Sequence, residues 1–218
     1  MTEYLDEVFL YAIQGSLEKT KSIITTSKFD INYQESTQGY SALHIACFAG
    51  SDAVVSFLLS RPDINVNSQD HSGLTPFHLA CFEGQFKIVQ MLMKDSRVDI
   101  QQTCHYGSTP FYVACAMGHL NVVEELLADA RSSTFAHTPN KDGATPLWIA
   151  CYNDRLSILK ALLSSKRNLG DLDVKPFKNP KSITEVIKEK HRQDIFDLIT
   201  SYEQGKQTYI YITQIQTQ

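Results

Sequence analysis

The pair Ala-Cys occurs four times, at Ala46-Cys47, Ala80-Cys81, Ala114-Cys115 and Ala150-Cys151, with separations of 34, 34 and 36 residues. A fixed period of this length constrains a chain more than any local propensity does. Each copy must be one supersecondary unit that cannot bury its apolar face alone, so the copies stack and share a continuous core. Whole lines recur around the pairs: GYSALHIACFAG, GLTPFHLACFEG, GSTPFYVACAMG and GATPLWIACYND.

Each line reads as a turn followed by a helix. Gly39, Gly73, Gly107 and Gly143 stand where a tight turn needs a residue tolerant of positive φ. Thr75, Thr109 and Thr145 supply helix N-cap hydroxyls, and Pro76, Pro110 and Pro146 take the first helical position, where a missing N–H costs nothing. The first line has Ser41-Ala42 there, a weaker start. The Ala-Cys pair puts two small side chains where a neighbouring helix must come close. Gly50, Gly84 and Gly118 end the helix in a left-handed cap, with Asp154 in the fourth copy. A second apolar helix follows in every unit, seen in AVVSFLL, KIVQMLM, NVVEELL and LSILKALL.

These lines resemble the ankyrin repeat, whose signature is T-P-L-H-x-A in a unit of about 33 residues. The resemblance implies an all-α solenoid of stacked helix-turn-helix units with β-turn fingers. It extends outward in degenerate form, and the expected organisation is a capping repeat over 1–38, repeats over 39–72, 73–106, 107–142 and 143–181, and a second cap over 182–204. The 143–181 unit carries a long Lys/Pro-containing connection over 164–181, read as an accessory surface or a spacer. The last segment, 205–218, alternates apolar and polar residues in TYIYITQIQT and is expected to be strand-like.

In ankyrin stacks a partner protein lies against the concave side, across the turns and the first helices. Carried onto this sequence, the resemblance places candidate contacts at Tyr40, Phe48, Ala49, His71, Ser72, Leu74, Phe82, Glu83, His105, Tyr106, Ser108, Ala116, Met117, Lys141, Asp142, Ala144, Tyr152 and Asn153. Phe48, Phe82 and Tyr152, with Met117 near the same line, should form an apolar ladder, and Glu83, Asp142 and His71 should set specificity at its rim. The expected role is that of a protein-binding adaptor or scaffold, a monomer without catalysis or cofactor. A regulatory fragment of a larger protein, or a thiol enzyme built on Cys104 and His105, are the alternatives.

His44 precedes Cys47 by three residues and His78 precedes Cys81 by three, a spacing that suits a metal pair. Tyr112 and Trp148 replace the histidines in the other units, so no ligand set recurs. The family resemblance instead implies that the imidazoles bond Ser41, Thr75 and the neighbouring turns. Cys104, outside the repeated position, is expected to be an exposed free thiol. No phosphate-binding, zinc-hydrolase or nucleophile-elbow motif occurs.

Five cysteines without C-x-x-C spacing, and acids at the N-terminus where a secretory signal needs bases, point to a cytoplasmic protein with reduced thiols. No stretch approaches a membrane span. The net charge of −4 conceals an asymmetry, because residues 155–192 hold 10 Lys/Arg against 4 Asp/Glu, or +6, leaving −10 elsewhere. That basic end reads as a solvated edge, with steering of an acidic partner as the alternative. Overall acidity, and a lack of aromatics among the basic residues, count against nucleic acid.

Overall fold

The computed structural model describes residues 2–26, 29–165, 167–169, 174–190 and 192–216, and these form helices joined by turns and loops, with one isolated antiparallel bridge between Gln34 and Ser41. Six helical hairpins follow one another: α1 (Thr2–Ile13) with α2 (Leu17–Thr26), α3 (Ala42–Ala49) with α4 (Asp52–Leu59), α5 (Pro76–Glu83) with α6 (Phe86–Lys94), α7 (Pro110–Met117) with α8 (Leu120–Ala128), α10 (Pro146–Tyr152) with α11 (Leu156–Ser164), and α12 (Ile183–Glu189) with α13 (Gln193–Gln216). A one-turn helix, α9 (Ser132–Phe135), sits in the enlarged 128–142 segment.

First helices pack on first helices and second on second, so the stack has two layers with one core between them. Ala46, Cys47, Ala80, Cys81, Ala114, Cys115, Ala150 and Cys151 are all buried, which is why the repeated pair must be small. Phe77, Phe111, Phe135, Leu92 and Leu126 are among the largest fully buried side chains of that core. The extra residues of the 128–142 segment are absorbed by α9, which lays Phe135 against Phe111 with ring centroids 5.3 Å apart.

The local signals act as their chemistry dictates. The side-chain oxygens of Ser41, Thr75, Thr109 and Thr145 accept the N–H of the third helical residue. Gly84 closes α5 at φ 68°, and a Cβ there would meet the His119 ring at 2.5 Å, so both conformation and the next hairpin demand glycine. Asp154 takes the equivalent position at φ 59°, the one non-glycine residue in that region among the described residues, and pairs with Arg192 of the last hairpin.

The tail corrects the expected strand. The backbone runs as helix through Gln216 as part of α13, and its side chains lie outside the described residues. A lone strand leaves its amides unpaired, whereas extending an existing helix satisfies each new N–H without a second nucleation.

Candidate functional site

Three of the first four turns joining successive hairpins, the first, second and fourth, are each built around one polar side chain. In the second, Asp70 N–H donates to Leu74 O at 2.9 Å, and Asp70 Oδ1 accepts from Ser72 and Leu74 N–H at 2.8 and 2.7 Å. Asn140 Oδ1 repeats the arrangement with Asp142 and Ala144 at 3.0 and 2.9 Å. The first turn is one residue longer, and there the Glu35 carboxylate accepts from Thr37, Gln38 and Tyr40. In the third turn Cys104 holds the equivalent inward place, bonding Ser108 O through its N–H at 3.0 Å. Its side chain is therefore buried, which corrects the expectation of an exposed thiol.

The turns are tied to one another by a main-chain ladder. His71 N–H donates to Gln38 O, His105 to Ser72 O, Lys141 to Tyr106 O and Phe177 to Asp142 O, at 2.8, 2.9, 2.9 and 2.8 Å. The last rung shows what the long 164–181 connection does: residues 174–180 form a fifth finger in register with the others. Phe177, which no sequence motif singles out, stands at its tip.

Beneath the fingers, one ring on each of α3, α5, α7 and α10 bridges to the next repeat. His44 Nδ1 accepts the Ser41 N–H at 3.1 Å, and its Nε2 lies 3.0 Å from Leu74 O, so Nε2 carries the proton and the imidazole is neutral. His78 does the same between Thr75 N–H (3.2 Å) and Ser108 O (3.0 Å). Burial lowers both imidazoles below the ordinary histidine value, His78 to about 4. The bonds that the family resemblance implied for both histidines are thus present. Trp148 Nε1–H reaches Lys181 O at 2.8 Å, and the Tyr112 hydroxyl accepts from Asn140 Nδ2 at 3.3 Å.

Above this layer the candidate contact residues separate by exposure. Phe48, Phe82 and Tyr152 are 47%, 41% and 42% exposed on α3, α5 and α10, and Tyr106 and Phe177 are 65% and 86% exposed on the fingers. His71, His105, Ser72 and Lys141 are also exposed, whereas Tyr40, Ala49, Leu74, Glu83, Met117, Asp142 and Asn153 are half-buried. Ala116 occupies the position of Phe48 and Phe82 on α7 and is buried, so the aromatic ladder has a gap there. Ser108 and Ala144 are buried as well and leave the candidate surface. Asn153 is committed to the stack through Nδ2, which donates to Ala116 O at 3.0 Å. Tyr152 stacks on Trp148 with centroids 5.0 Å apart, and Lys190 Nζ lies 5.5 Å from the Tyr152 centroid.

This surface presents flat apolar area, ring edges and scattered charge to a ligand. Burial pushes the thiols of Cys47, Cys81 and Cys115 well above the ordinary range and that of Cys151 up to about 11, which disarms them as nucleophiles. Among the described residues no group of three or more His, Cys, Asp or Glu side chains could hold a metal ion, and no helix is long and apolar enough to cross a membrane.

The family model for ankyrin repeats (three copies) matches residues 8–104 and again 96–175. The chain belongs to the ankyrin-repeat family, whose repeats generally mediate protein–protein interaction. A search of curated proteins finds no match.

Proposed function

We propose that this chain is a non-catalytic adaptor that holds a partner protein against the face formed by its fingers and first helices. The observation that carries the reading is the exposed aromatic row. Phe48, Phe82 and Tyr152 stand exposed on first helices of the stack while the repeat fills its core with other residues. Exposed aromatic side chains lined along one face mark a contact surface even with the gap at Ala116, and aromatic residues are enriched at interface cores. Each anchor contributes on the order of 2 kcal/mol to such a complex. His71, Glu83 and Asp142 at the rim set specificity more than affinity. Five unpaired thiols fit a reducing compartment such as the cytoplasm.

The test is affinity capture from lysate of the source cell with the wild type and a Phe48→Ala/Phe82→Ala/Tyr152→Ala variant whose circular dichroism is unchanged. A partner retained by the first and lost by the second supports the reading. Equal retention by both refutes it.

A further inference from the structure

The finger face is electrically polarised along the stack. The first three finger-and-helix segments, residues 34–49, 70–83 and 103–118, contain no Lys or Arg and three acids, Glu35, Asp70 and Glu83, for a sum of −3. The 140–153 segment holds Lys141 against Asp142 and sums to zero. Residues 174–192 hold six Lys/Arg against two Glu, for +4. The fifth finger places two of these lysines, Lys175 and Lys178, beside the ladder, where Phe177 N–H bonds Asp142 O and Lys178 Nζ lies 3.0 Å from the Asp142 carboxylate, and the rest lie on α12 or beside its ends.

Not all of these cations are neutralised. Lys175 and Lys181 pair with Glu185 and Glu189, and Arg192 is held between Asp154 and Asp194. Lys141 and Lys190 are exposed and have no carboxylate partner among the described residues. Lys190 lies over Tyr152, the last rung of the aromatic row, and Phe177 stands between Lys175 and Lys178 in the chain.

We infer that the C-terminal end of the finger face recognises a linear segment of the partner rich in Asp and Glu and carrying an apolar side chain. Phe177 on the fifth finger and Tyr152 at the end of α10 offer it separate apolar contacts, while Lys141 and Lys190, unpaired among the described residues, and Lys178, exchanging Asp142 for the ligand, meet its carboxylates. This rests on the adaptor reading above and names the chemistry of what that face accepts. Lysine ammoniums are point charges suited to several carboxylates, and the bidentate fork that would favour a phosphate is already occupied at Arg192. A nucleic acid would meet repulsion from the acidic half of the same face.

The experiment is selection from a random-sequence peptide display library on immobilised full-length protein, with a Lys141→Glu/Lys178→Glu/Lys190→Glu variant, a Phe177→Ala variant and the ladder variant selected in parallel. Expected are peptides enriched in Asp and Glu from the wild type, bound at least ~10-fold more weakly by the lysine variant and by Phe177→Ala, with affinity falling as salt rises. Neutral or basic peptides, no enrichment, or acidic peptides indifferent to both variants overturn the inference. So do lysine-dependent self-association in sedimentation and tighter binding of a single-stranded oligonucleotide. If the captured partner depends on Phe48 and Phe82 while the lysine and Phe177 variants bind it normally, this inference fails and the adaptor reading stands.

Discussion

The interfaces among α3, α5 and α7 and those among α7, α10 and α12 perform one task with different chemistry. In the N-terminal pair a histidine accepts the N-cap N–H of its own helix and donates to the next turn, so both ring nitrogens are used. In the C-terminal pair Tyr112 and Trp148 reach the next repeat but cannot accept from Thr109 or Thr145 N–H, and the reciprocal capping box disappears. It returns in the last hairpin, where Glu185 takes the histidine's place against Ser182. Rings of larger area therefore replace a satisfied cap in the middle of the stack. The repeat demands a bridge at this position, and several side chains can supply it.

That comparison can be broken first on its aromatic side. Phe111→Ala removes a fully buried ring and its partner contact with Phe135, and should cost ~3–5 kcal/mol in urea unfolding. In a solenoid the loss should also split the transition, with the hairpins on either side unfolding separately.

The histidine side should show itself in pH dependence. His78 titrates at about 4 in the folded chain against an ordinary value of 6.5, so between those values the unfolded chain binds the proton and the folded chain does not. Its contribution is fully present above pH 6.5 and is lost as pH falls towards 4, on the order of 3 kcal/mol, with His44 acting in the same direction. Urea midpoints across this range should fall with pH, and His78→Tyr should flatten the profile. An unchanged slope in that variant would show that His78 is not the titrating group.

Much of this is legible in the sequence because it recurs. Thr75-Pro76, the small pair at Ala80-Cys81 and Gly84 each carry a local mechanism, and their recurrence identifies the helix starts, the close approach and the helix ends. What is illegible lies where the period breaks. Residues 164–181 share no line with the other turns, so nothing marks Phe177 as the tip of a finger. Cys104 misleads because a turn position looks exposed, while its alignment with Asp70 and Asn140 shows that the side chain points inward. The alternation in the tail carries a strand signal that continuation of the existing helix α13 overrides. Register alone assigns Ala116 to the groove, but a side chain that small does not emerge from between its neighbours.

Smaller effects sharpen the comparison further. Trp148→Phe keeps the ring and loses the Nε1–H bond to Lys181 O, which should destabilise the last hairpin by about 1 kcal/mol and raise amide exchange in α12. Asp154→Gly relieves a side chain at positive φ but removes the exposed pair with Arg192, and the two should nearly cancel, leaving the urea midpoint indistinguishable from that of the wild type.

The most direct test of a partner-binding finger face is amide hydrogen exchange of the full chain, alone and saturated with the captured partner. Slowed exchange confined to the five turns and the first helices, strongest around Phe48, Phe82, Tyr152 and Phe177, is the predicted footprint. Slowed exchange along α4, α6, α8 and α11 with the fingers unchanged would contradict it.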